Sequence, residues 1–230
     1  ETVGAVYARA NVTASDAVRI KAKGDIVSVA ASGVTITSSD LILESGLGAI
    51  GTAANPFDIA LSASGSLQGT LTARALNEVY ITSAGTIKVE AVSSQSRGVY
   101  LTAGGSILDA LNSDSAKIAA NRIELTASGG TIGSATNFLE TDLLGVPSSE
   151  SPLIGTLTAT ASGSVYLHET LGDFNVDRIT SSGGEVSLRA HQSILDASTA
   201  AGESTAKPGV DIFANTNISL TSDFGAIGVS

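Results

Sequence analysis

Twelve residues of this chain are written twice. VYLTAGGSILDA at 99–110 returns as VSLRAHQSILDA at 186–197, with eight of the twelve positions identical. Internal copying of this kind limits the fold more than any single motif does, because a unit that cannot bury its own apolar face has to stack on the next one.

A shorter phrase runs through both copies: an aliphatic residue, any residue, then Leu or Ile, a small polar stretch with Gly, and a further aliphatic or aromatic residue. It reads as Val18/Ile20/Ile26, Leu41/Leu43/Ile50, Val79/Ile81/Ile87, Val99/Leu101/Ile107, Ile123/Leu125/Ile132, Val165/Leu167/Phe174, Val186/Leu188/Ile194 and Ile218/Leu220/Ile227. The intervals Leu41 to Val79 and Ile123 to Val165 are about double the shortest, so each is expected to hide a further turn, marked by LTARALNEVYI at 71–81 and LTATASGSVYL at 157–167. The unit is expected to be about 20 residues, at the short end of the repeats that stack as solenoids. Ile50, Ile132 and Ile227, each followed by Gly, mark a longer period, a block of about four turns that has itself been copied.

Alternation at i and i+2 places two aliphatics on one face of a strand, with Tyr, Ser, Glu or Arg between them on the other. Gly and small residues then permit a corner, and the last aliphatic points inward again. The fold class that follows is all-β, a parallel β-helix or β-solenoid, in which matching aliphatics form columns. Ten coils would give a rod about 50 Å long at the ordinary strand spacing. A β-sandwich also has short strands and turns, yet it gives no reason for a copied block. In the SILDA phrase Ile107 and Ile194 are expected in the core, Leu108 and Leu195 under a loop, and Asp109 and Asp196 capping the turn that follows. The chain 1–230 reads as one solenoid domain, with loop insertions at 141–152 and 198–210.

Composition narrows the partners. Lys and Arg number 12 against 22 Asp and Glu, a net charge of −10, and the basic residues are scattered, which argues against a nucleic-acid partner. No apolar run reaches the roughly 18 residues of a membrane-spanning helix, so membrane insertion is not expected. Cys is absent, which removes disulfides and cysteine metal sites together.

The order IGT, GTLTA, VYL, GDFNV, GGEVSL, SILDA, ISLTS resembles repeats in large bacterial surface exoproteins of the filamentous-haemagglutinin-like adhesin class. That resemblance implies secretion, a right-handed β-helix, and work as an adhesin or as a component of a filament or sheath.

Chemical signals are sparse. His168 and His191 read as solvent-facing strand or turn residues, and His168 with Glu169 and Asp173 is a weak metal spacing. The triplet Arg19, Ile20, Lys21 resembles a polygalacturonase motif, but the paired Asp motifs and the Gly-His-Gly of that family are missing, so it reads as a strand with an inward Ile. Asp173 with Asp177, and Glu140 with Asp142, read as solvated charge rather than a calcium site. Thr-rich stretches such as TLTAT are interrupted on the outer face by Arg, Glu, Lys and Tyr, against a regular ice-binding lattice. Asn11 and Asn217 fit the N-glycosylation pattern by coincidence.

No catalytic, cofactor-binding or metal-binding residue is assigned, and no cofactor is expected. The expectation is an extracellular, cell-surface, non-enzymatic structural or adhesive protein. It would associate end to end or continue in a longer chain, and would contact glycans on a host or neighbouring cell. The alternative is a carbohydrate-binding or carbohydrate-processing β-helix related to lyases and hydrolases.

Overall fold

The computed structural model describes residues 4–29, 35–64, 67–145, 155–197 and 211–228. Among them there is no α-helix, and the strands pair in parallel apart from one short hairpin, Ala63–Ser64 with Leu67–Gln68. The chain winds as a β-solenoid with coils of about 23 residues. Successive strands fall alternately into two ladders. The first runs from Ala17–Ala22 through Asp40–Ser45, Leu71–Ala75 and Ile87–Ser94 to Ile218–Ser222; the second runs from Val12–Thr13 through Val79–Ser83, Gly98–Ala103 and Arg122–Ala127 to Ile194–Asp196. Each path holds nine strands, which makes a stack about 40 Å tall at the usual strand spacing.

The aliphatic columns expected from the repeat are present. Val79 stands in register with Val99, Val99 with Ile123 and Ile123 with Leu157; beside them Ile81, Leu101, Leu125 and Ala159 form a second file. All eight are at most 1% exposed. The first ladder repeats the arrangement with Leu139, Leu167, Leu188 and Leu220, and with Val165, Val186 and Ile218. A third inward file is small, passing through Ser83, Ala103, Ala127, Ala161 and Ser181, each one or two residues before a glycine. Several buried serine hydroxyls bond to the corner backbone: Ser45 Oγ donates to Gly24 O and accepts from Gly48 N, and Ser181 Oγ donates to Gly163 O.

Both long intervals contain the hidden turn that their length implies, as strands Phe57–Leu61 and Leu71–Ala75 in one and Leu139–Leu143 and Thr156–Ala161 in the other. Coils are longer than the shortest spacing of the phrase suggests, and correspondingly fewer, because the step between rungs varies. Along the file Val6, Ile26, Ile50, Val79, Val99 and Ile123 the steps are unequal, and the longest lies between Ile50 and Val79.

The copied block has a geometry that the repeat does not announce. Val99 belongs to the second ladder and Val186 to the first; Ile107 pairs into the first and Ile194 into the second. Seven crossings separate Gly98–Ala103 from Val186–Ala190, so the copy is displaced by three and a half windings, not four, and each phrase reappears on the opposite wall. Two eight-residue strands, Ile87–Ser94 and Phe174–Ser181, mark matching places in the two blocks. Each sits beside a register shift on one side and carries two separate strands on the other. Gly51 and Gly133, at equivalent corners, both have φ +66°; a Cβ there would meet the backbone oxygens of Tyr80 and Tyr166. Only glycine fits at these corners.

Of the expected insertions, 198–210 lies outside the described residues, as do 146–152. Thr141–Leu143, assigned to the other insertion, instead complete strand Leu139–Leu143. A different insertion opens inside a rung. Opposite Val89 and Val92 stand Asp109 and Ile118, so residues 110–117 occupy the place of Glu90 and Ala91. In the second block Asp196 and Ile212 stand opposite Val176 and Ile179 in the same way. SILDA therefore stands where a rung breaks, and after its first copy residues 110–117 leave as a loop.

Candidate functional site

The densest buried chemistry lies at that first loop exit. Ile107 points inward, and alternation sends Asp109 inward too. Asp109 Oδ1 accepts the N–H of Leu111 at 2.8 Å, the capping bond expected of it, while Oδ2 has no hydrogen-bond partner. Ile107 fills the core as expected, and Leu108 is half-buried. In the second copy Ile194 is buried, with Leu195 and Asp196 half-buried beside it. The first loop returns through Lys117, whose side chain is 1% exposed. Its ammonium donates to Ser113 O, Ser113 Oγ, Ser115 O and Ser115 Oγ at 2.6 to 3.3 Å, and lies 3.7 Å from Asp109 Oδ1 and 3.8 Å from Glu140 Oε2.

Glu140 sits on the adjacent strand, in register with His168, and is 3% exposed. Burial is the main cause that pushes its carboxyl up to about 7; the neighbouring Asp109 adds to the rise and Lys117 opposes it. Its Oε2 has no hydrogen-bond partner. One coil further, Glu169 shares the inward parity of Val165 and Leu167 and is fully buried. Thr141 Oγ1 donates to its Oε2 at 2.8 Å and Leu143 N to its Oε1 at 3.0 Å. Burial raises this carboxyl to about 8, against the effect of those bonds.

The residues singled out in the sequence do not converge. His168 and Glu169 point to opposite sides of one strand; His168 is half-buried in the outer file between Glu140 and Arg189, and burial lowers its pKa. Asp173 Oδ1 accepts Ser193 N, and Asp177 Oδ2 accepts Thr158 Oγ1. Glu140 and Asp142 depart from the solvated charge expected of them: Glu140 is sealed beside Lys117, and Asp142 is half-buried with a raised pKa, again from burial. Arg19 is exposed and bonds Glu44 at 2.6 Å across one rung, while Ile20 leans inward. His191 packs edge-on to Phe224, in a hollow also lined by Gln192, Ser193 and Gly225. Among the described residues no group of three or more His, Asp or Glu is placed to hold a metal ion.

On the outer face of the second ladder Thr82, Thr102, Thr126, Thr160 and Thr180 form one file over five consecutive rungs. The neighbouring file is Tyr80, Tyr100, Glu124, Thr158 and Arg178, in which the Tyr80 and Tyr100 rings stack at 4.3 Å with planes 8° apart. The mixture foreseen on this face is thus sorted into files, one of pure threonine.

Two of these features were open to parity reasoning and were missed. Glu169 keeps step with Val165 and Leu167, and Asp109 with Ile107, so both had to point inward. No family model matches this chain, and no curated protein and no solved structure matches it.

Proposed function

We propose that this chain is a non-catalytic, length-giving segment of an extracellular filament at a cell surface, with its flanks available for adhesive contact. One observation carries the reading: the parallel ladders and their aliphatic columns continue from rung to rung along nine strands on each path, a one-dimensional stack that supplies length. The likeness of the repeat phrases to surface exoproteins supports the extracellular placement.

In this role the rod carries force and shape through many modest hydrogen bonds and through aliphatic packing, and it needs no catalytic pocket. A second reading, carbohydrate binding, draws on the tyrosine pair beside the threonine file, since hydroxyl donors next to an aromatic edge suit a sugar chain.

Negative-stain electron microscopy over a concentration series separates the two. Rods that lengthen end to end as concentration rises support the filament. Particles of constant length, with a titratable affinity for an oligosaccharide that Tyr100→Ala removes, would replace it with the second reading.

A further inference from the structure

The buried trio of Asp109, Lys117 and Glu140 is more than a cap on a loop. All three side chains are at most 4% exposed, and one ammonium faces two carboxyls at 3.7 and 3.8 Å. The serine cradle, two backbone and two hydroxyl oxygens from Ser113 and Ser115, holds the lysine nitrogen in place. Asp109 is asymmetrically treated: Oδ1 is bonded by Leu111 N–H, whereas Oδ2 has no hydrogen-bond partner.

From this geometry we propose that Lys117 and Asp109 condense to an intramolecular amide, with Glu140 as the proton carrier. In water a carboxylate and an ammonium resist condensation because both ions are well solvated. A site that excludes water removes much of that solvation and holds the two groups together. The reaction balances without any co-reactant: the ammonium and the carboxylate become one amide and one water. Lys117 passes a proton to Glu140, which delivers it to Oδ2 of Asp109, and the free amine attacks Asp109 Cγ to form the new N–C bond. The oxygen that develops negative charge is Oδ1, already facing the Leu111 N–H, which stabilises it as an oxyanion donor does. Glu140 then takes the second proton from the nitrogen and hands it to Oδ2. The Cγ–Oδ2 bond breaks and that oxygen leaves as water with both protons, so Glu140 ends as it began. Because burial holds the Glu140 carboxyl near 7, it can both take and give a proton near neutrality. The new bond would tie the two ends of the 110–117 loop together in a chain that has no cysteine for the purpose.

Intact mass spectrometry of the purified chain tests the proposal, with folding checked by circular dichroism on the same sample. The expected result is a mass lower by one water than the sequence requires, with a branched peptide joining Lys117 to Asp109 after digestion. Glu140→Gln, nearly isosteric, should fold and keep the full mass of its own sequence, as should Lys117→Met. A folded wild-type chain with the full sequence mass would overturn the proposal. A branch mapped to Glu140 would overturn the choice of Asp109, and water loss in folded Glu140→Gln would overturn the role given to Glu140.

Discussion

Leu101 lies directly above Ile81 in the second ladder, their Cα atoms in register and each side chain 1% exposed. Residues between them in sequence wind once around the rod, so this contact joins two coils rather than two neighbours along the chain. Leu101→Ala should cost about 2–5 kcal/mol of stability, the usual range for opening a cavity in a packed core. Equilibrium denaturant unfolding measures it.

Inward and outward positions of the same winding should respond very differently. Ile107→Asp buries a charge in an aliphatic file and should prevent stacking of the coil, while Tyr100→Ser loses the ring stack on Tyr80, about 1 kcal/mol. Thermal melts of the two variants side by side test the assignment; equal loss in both would refute it.

Gly133→Ala should destabilise the rod by at least about 1–2 kcal/mol, because φ is +66° and the added methyl meets Tyr166 O. Gly85→Ala serves as the control, since the nearest atom to a Cβ there is 3.9 Å away.

Stability should fall as pH rises. Glu169 titrates at about 8 in the folded chain against an ordinary 4.5, so the folded state holds a proton that the unfolded state has lost between those values. Its contribution is fully present below about 4.5 and disappears as pH passes through about 8. Unfolding midpoints measured from pH 5 to 9 should decline, and Glu169→Gln should flatten the decline.

Arg19→Ala should change stability by less than about 1 kcal/mol, as expected for an exposed ion pair, here with Glu44. A larger loss would give the Arg19, Ile20, Lys21 triplet a role beyond that of an outer strand.

The winding was legible because stacking imposes one rule on every coil: alternate aliphatics inward, small residues at corners. Val79, Val99 and Ile123 could be matched from sequence for that reason. The same rule hid which wall each phrase occupies. Both walls ask the same of a strand, so Val99 and Val186 read alike while lying in opposite ladders. The 110–117 loop did not stand out because its polar run Asn112, Ser113, Asp114 and Ser115 reads like the small polar stretches at the corners of the coil. Lys117 could not be read as buried from sequence, because its burial depends on the loop folding back over Glu140, one coil away.

The threonine file offers the most direct test of aligned windings. Thr82 and Thr180 are far apart in sequence yet only four rungs apart in one column, about 19 Å at the standard strand spacing. The chain has no native cysteine, so spin labels on Thr82→Cys and Thr180→Cys report that pair alone. Pulsed electron paramagnetic resonance should give one narrow distance close to that separation, within the reach of the labels. A broad distribution, or a single distance well beyond it, would contradict the stacked rod.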